Sequence, residues 1–155
     1  MKKLKLILLC FICFLAVGCG SKDSKDVGNL ENFKNVCINN GFSIIDKMDE
    51  YANEDANYIT GAIQATLDDI TIEMVQYDNS DNASKIQEQH IKNFMGMKST
   101  GASAKKEKGE NYYKFSLISN GYYMVSSRID NTLIFSKTLL NNKEKVETIL
   151  NDMNY

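Results

Sequence analysis

The dipeptide Asn120-Gly121 constrains this chain more than any other feature, because it separates two runs rich in β-branched and aromatic residues, 111–118 and 122–129. A two-residue loop between paired strands needs positive φ at its centre, which Asn and Gly adopt at least cost. Asp130-Asn131 repeats the signal and returns the chain into residues 132–139. Counting outward from the two turns aligns Phe115, Ser126 and Phe135 across three strands, with Leu117 beside Met124 and Arg128 beside Leu133. That row is the expected core face. The opposite face carries Lys114, Ser116, Ser127, Ser136 and Thr138 among Ile118, Tyr123, Val125, Ile129 and Ile134. A face so mixed calls for a cover of its own.

The same logic applies earlier. Asp68-Asp69 splits residues 58–67 from 70–77, pairing Leu67 with Ile70, Ala65 with Ile72 and Ile63 with Met74 on one side. Thr66 with Thr71, Gln64 with Glu73 and Thr60 with Tyr77 fall on the other. Leu30, Phe33, Val36 and Cys37 recur at helical spacing before Asn39-Asn40-Gly41, residues 42–45 read as a brief strand, and a helical turn is expected around 48–51. Residues 78–82 supply capping side chains for a helix whose face is Ala83, Ile86, His90, Phe94 and Met97. Residues 99–110 read as a polar loop, and its lysines at 105, 106 and 108 alternate with Glu107 and Glu110. Asn141-Asn142 is expected to cap a last helix with Val146, Ile149, Leu150 and Met153 on one side. The expected fold is therefore α+β: one domain over residues 29–155, an antiparallel sheet of about six strands, and two or three helices mainly on one face. Its order suggests two β-β-β-α units after an N-terminal helix.

The start of the chain specifies an address. Lys2, Lys3 and Lys5 precede an apolar segment that closes on small residues, the pattern of a secretory signal peptide over residues 1–18. Leu6 to Gly18 is too short to cross about 30 Å of hydrocarbon, which takes roughly 20 residues. Leu15-Ala16-Val17-Gly18-Cys19 resembles the lipobox of bacterial lipoproteins, departing from it at Ala16, where Leu is usual. The resemblance covers only the leader and this junction. It implies cleavage before Cys19, diacylation of its thiol, and a location on the outer face of the cell membrane. Each buried methylene contributes about 0.8 kcal/mol, so two or three acyl chains hold a protein where one does not. Residues 19–28 then read as a lipidated tether, able to lift the domain by roughly 30 Å when extended. The middle and C-terminal part resembles small uncharacterised lipoproteins of Gram-positive bacteria, without a motif that selects a family. The absence of proline and the abundance of Asn, Lys and Ile suit a low-GC source.

Loss of the leader leaves 15 basic against 20 acidic residues, a net charge of −5. Nucleic acid and a flat fit to an anionic bilayer are disfavoured as partners by that charge, whereas a basic ligand or partner is compatible. Cys10 and Cys13 leave with the leader and Cys19 takes the lipid, so Cys37 remains alone on the apolar face of a helix. It reads as a small buried hydrophobe.

Motifs for chemistry are sparse. The chain has no Gly-Lys-Ser/Thr phosphate loop, no pair of histidines one turn apart, and no Cys-x-x-Cys beyond the leader, so no cofactor, metal or catalytic residue is expected. His90, the one histidine, reads as a core residue. Asp78-x-Ser80-x-Asn82 imitates the opening of a calcium loop, but Ala83 and Gln89 stand where Gly and Glu are needed. Glu50, Glu54, Asp55, Asp68 and Asp69 sit in acidic turns where solvation accounts for them. Tyr112, Tyr113, Tyr122 and Tyr123, on adjoining strands, form the candidate interaction patch, since tyrosine offers an apolar face and a polar tip. The expectation is a membrane-anchored extracytoplasmic module that binds an envelope protein or ligand without catalysis. The alternatives are an immunity-type lipoprotein that blocks a toxin or phage, and a small enzyme or enzyme accessory subunit. Acyl labelling of cells is expected to mark the parent chain and leave Cys19→Ala unlabelled; equal label on both would end the lipoprotein reading.

Overall fold

The computed structural model describes residues 23–52 and 57–155. The leader, Cys19, Glu54 and Asp55 lie outside these residues. Helix α1 (Leu30–Asn39) begins at Asn29, whose side chain accepts the Asn32 N–H at 2.8 Å, and stops before Gly41 at φ +85°. Strand β1 (Ser43–Asp46) and the short helix α2 (Met48–Ala52) follow. Strands β2 (Ile59–Leu67) and β3 (Ile70–Tyr77) form the first hairpin, with Asp68 at φ +52° in its turn. Helix α3 (Ser80–Gly96) is capped by the side chain of Asn79, and Asp78 holds the amides of Asn79 and Asn82.

The second half is a meander. Strands β4 (Ser103–Lys108), β5 (Tyr112–Ser119), β6 (Tyr122–Ile129) and β7 (Thr132–Leu139) lead through a 3₁₀ turn at Leu140–Asn142 into helix α4 (Lys143–Asp152). All seven strands join one antiparallel sheet in the order β1-β2-β3-β7-β6-β5-β4. Asn120, Gly121 and Asp130 all have positive φ, and the two turns set the pairs Phe115–Ser126, Ser126–Phe135 and Leu117–Met124 in the expected register. No helix among the described residues is long and apolar enough to cross a membrane.

Several expectations are corrected. Residues 103–108 form the edge strand β4 instead of a loop: with no apolar pattern, its pairing rests on backbone hydrogen bonds to β5, and its lysines keep the edge from pairing further. Thr60 does not face Tyr77; a bulge shifts the register so that Ile59 does. The bulge meets Gly61, where a Cβ would lie 2.2 Å from a methyl of Leu30, so a larger residue would push the Leu30 side chain of α1 aside. Asn142 does not cap α4 with its side chain, which instead donates to Asp69 at 2.9 Å. Residues 23–28 are docked, not free: Lys25 exchanges hydrogen bonds of 2.9 and 2.8 Å with the Asn111 side chain, and Tyr112 donates to Asp23 at 2.9 Å.

The helices occupy both faces of the sheet. On the front, Phe33 and Cys37 of α1 and Val146, Ile149 and Leu150 of α4 pack with Ile63, Ile72, Met74, Val125 and Ile134 in the largest core. That is the mixed face, whose serines and threonines are roofed over. On the back, Ala83 and Phe94 of α3 cover Val75, Leu133, Phe115 and Met124. The order strand, strand, strand, helix does recur, yet a rotation that carries β3 onto its antiparallel neighbour β7 would leave both following helices on one face. Because α3 and α4 lie on opposite faces, the two units are not related by such a two-fold axis. Phe135, expected in the core, is half-buried, whereas Ser136 is buried and donates to the Thr71 carbonyl at 2.6 Å.

This division of faces makes Ile134→Ala the costly change, about 2–5 kcal/mol, since Ile134 is fully buried among front-face side chains. Phe135→Leu, a change to a smaller side chain at a half-buried position, is expected to cost less than Ile134→Ala. Urea unfolding of both variants checks the ranking, and its reversal would invalidate the assignment of faces.

Candidate functional site

The antiparallel pairing of β3 with β7 sets Glu73 directly across from Phe135 on the back face. Helix α3 crosses β6, β7 and β3 above them, and its 3.6-residue period brings His90 and Phe94 down onto the same ground. The His90 ring lies 4.3 Å from that of Phe135 at 60°, and 6.3 Å from that of Phe94. Thr71, Glu73, Phe94, Ser136 and Lys137 complete a cleft of about 310 Å³ around this pair of rings. A smaller hollow of about 190 Å³ lies against the same His90 and Phe135, walled by Tyr51, Tyr58, Ile59, Tyr77 and Ile86. Tyr58 and Tyr77 stack at 6.2 Å, 10° from parallel.

One carboxyl sits in these aromatic walls. Glu73 is 8% exposed, and its Oε1 accepts the hydroxyl hydrogen of Tyr51. Among the described residues nothing hydrogen-bonds its Oε2. Burial pushes Glu73 above the usual carboxylate range, outweighing the Tyr51 bond and the charge of Lys47, which both act the other way. The same burial pushes Tyr51 and Tyr77 well above the ordinary phenol value. His90 moves down from its ordinary 6.5 because burial penalises the imidazolium, and its Nδ1 is buried with no partner. At neutral pH the ring is therefore an uncharged wall. Perturbed groups gathered in a cleft are the usual physical mark of a working site. The arrangement can accept a hydrogen bond or a positive charge at Glu73 and stack flat or apolar groups on Phe94, Phe135 and His90.

A second polar group lies on the front face. Lys114, almost wholly buried, donates to Glu147 of α4 at 2.8 Å, and Tyr123 donates to the other oxygen of the same carboxylate. Burial alone would raise Glu147, but these two hydrogen bonds hold it below the usual range. Every strong charge here has a partner, which suits a structural clamp between sheet and helix.

The structure does not bring the four candidate tyrosines together. Tyr112 and Tyr123 lie on the front face, Tyr113 and Tyr122 on the back, as alternation along each strand requires. Tyr112 and Tyr113 start β5 while Tyr122 and Tyr123 start β6 beyond its far end, roughly seven residues or about 23 Å away along the strand. Tyr123 is fully buried and Tyr113 half-buried; Tyr122 is exposed, with Lys137 over its ring at 5.2 Å. Cys37 is fully buried, its thiol pushed up to about 12 by desolvation, as a packing residue should be. Glu50 pairs with Lys47, and Asp68 and Asp69 occupy the first hairpin turn.

Sequence reasoning passed over Glu73, Tyr51 and Gln87. Gln87 is buried and donates to the carbonyls of Tyr113 and Ser126 at 2.7 and 3.1 Å, pinning α3 to the sheet. A glutamate inside the otherwise apolar run Ile72-Glu73-Met74-Val75 was the available signal. Comparison with protein-family models, curated proteins and solved structures finds no match to this chain.

The single histidine of the chain gives one imidazole resonance to follow. Its titration midpoint is expected below about 6.5, because the folded state resists protonation. A depressed folded pKa means that stability present above the unfolded value is lost as pH falls through the folded one. Glu73 acts oppositely, its raised pKa favouring the fold at acidic pH and losing that contribution as pH rises through the folded value. The melting temperature of the parent is thus expected to drop relative to that of His90→Phe as pH falls from about 7 to 5, the Glu73 contribution being common to both. A midpoint above 6.5 would show instead that Glu73 or another carboxylate pairs with the ring.

Proposed function

We propose that this chain is a lipid-anchored, extracytoplasmic binding module whose ligand occupies the back-face cleft under α3. The observation that carries the reading is Glu73, a buried carboxyl oriented by Tyr51 in a wall of aromatic rings. Burying a carboxyl unpaired with a cation costs stability, and a ligand that engages it offsets that cost. The leader and Cys19 supply the anchor, and the net charge of −5 suits a basic ligand. Cys19 is four residues from Asp23, so the lipid lies within about 14 Å of the docked segment. With that anchor the start of β5 faces the bilayer and the cleft opens further out.

A small enzyme is the second reading, drawn from the same pair, since a carboxyl raised by burial can serve as an acid and an imidazole held uncharged can serve as a base. It needs a nucleophile or an activated water between them. Ser136, the serine in the cleft wall, already donates to Thr71.

The chain contains no tryptophan, and Thr71→Trp fills the cleft from its rim. Lipidated protein in nanodiscs is incubated with a small-molecule extract of the cell envelope, washed and denatured, and the released compounds are identified by mass. The expected result is a compound released by the parent and missing from folded Thr71→Trp. Identical release from both, or a compound recovered chemically altered, would count against a binding role for this cleft.

A further inference from the structure

Resting on the reading of the back-face cleft as a ligand site, we propose that its ligand is an organic cation, an alkylammonium or quaternary ammonium group with a small apolar body. Three features of the cleft select that class over neutral or anionic molecules. The first is the carboxyl. Glu73 reaches the cleft with Oε1 committed to Tyr51 and Oε2 free of hydrogen bonds among the described residues, so a positive charge meets an oriented acceptor. The second is the walls. Phe94, Phe135 and the uncharged His90 ring line the cleft, and aromatic rings beside a carboxylate attract cations whose hydration shell is weak. The third is size, since about 310 Å³ lies at the lower end of ligand cavities and leaves room for an amine with a small apolar body.

The charges around the cleft agree with this choice. Lys47 and Glu50 bear on Glu73 from the α2 side with opposite signs, Lys47 favouring its anion and Glu50 opposing it, and they pair with each other. Lys137 lines the cleft on β7 but carries its ammonium over the Tyr122 ring at 5.2 Å, towards the far end of the sheet. His90 on α3 is held neutral by burial. A cation entering the cleft therefore meets the Glu73 carboxyl, with the Lys137 ammonium turned towards Tyr122.

Three probes of nearly equal shape test the proposal on the full lipidated chain in nanodiscs: choline, its neutral isostere 3,3-dimethyl-1-butanol, and the anionic 3,3-dimethylbutanoate. Binding is read from methyl and aromatic NMR shifts at Thr71, Phe94 and Phe135, with the resonance dispersion of each variant reporting its fold. Choline is expected to bind at least tenfold tighter than either isostere. Glu73→Gln, which keeps shape and loses charge, is expected to weaken choline at least tenfold and leave the neutral isostere unchanged. Phe135→Leu is expected to weaken choline several-fold, and it decides the matter together with the isosteres if Glu73→Gln fails to fold. Equal binding of choline and the neutral alcohol overturns the cation assignment while leaving a ligand cleft standing. Preference for the carboxylate does the same and transfers the role to Lys137. No saturable shift with any of the three overturns the cleft as a ligand site altogether.

Discussion

The pairing of β3 with β7 is the contact on which the rest of the architecture depends. Most other ladders join neighbours in sequence through a hairpin or a short connection, so local turn chemistry accounts for them. β3 and β7 are separated by some sixty residues, and their ladder turns two meanders into one seven-stranded sheet. Closing so long a loop costs entropy that only burial on both faces can offset. The seam is secured accordingly: Asn131 accepts the Tyr77 N–H with its carbonyl at 2.8 Å and donates its side-chain amide back to the Tyr77 carbonyl at 2.7 Å, while Ser136 holds Thr71.

Covering both faces is what such a sheet requires, and the chain meets the need by sending its helices to opposite sides. The front core is apolar where α1 and α4 cross the centre, and it carries charge at Lys114 and Glu147, where sheet and helix share an ion pair and the Tyr123 hydroxyl. A buried pair of this kind gains little over apolar packing, but removing one partner leaves a charge stranded, so the three residues act as a unit. On the back, Gln87 does the equivalent work with neutral groups. The docked residues 23–28 and the C-terminal Tyr155 close the tether end together: Tyr155 is buried, bonds to Thr132 and lies against Gly28.

The cleft follows from what α3 leaves uncovered. The helix lies mainly over β6 and reaches β7 and β3 less, so Glu73 and Phe135, cross-strand partners at the seam, are neither fully roofed nor fully open. A carboxyl kept at such a place by Tyr51 works against stability at neutral pH.

Read alone, the chain specified its three hairpin turns and the register beside them, because turn residues such as Asp68, Asn120 and Asp130, all at positive φ, leave little choice of pairing, whereas the bulge at Ile59–Gly61 was not foreseen. Helical spacing likewise picked out Phe33, Cys37, Val146, Ile149 and Leu150, and the isolated Cys37 was recognisable as packing. Three things were not legible. The edge strand β4 carries no apolar alternation, since an edge pairs through its backbone and asks nothing of its side chains. Which face holds the main core depended on where α1, α3 and α4 dock, a choice between two similarly mixed faces that no single strand encodes. The site itself was invisible because Tyr51, Glu73, His90 and Phe135 come from four separate elements, and only the β3–β7 seam and the crossing of α3 bring them within reach of one another.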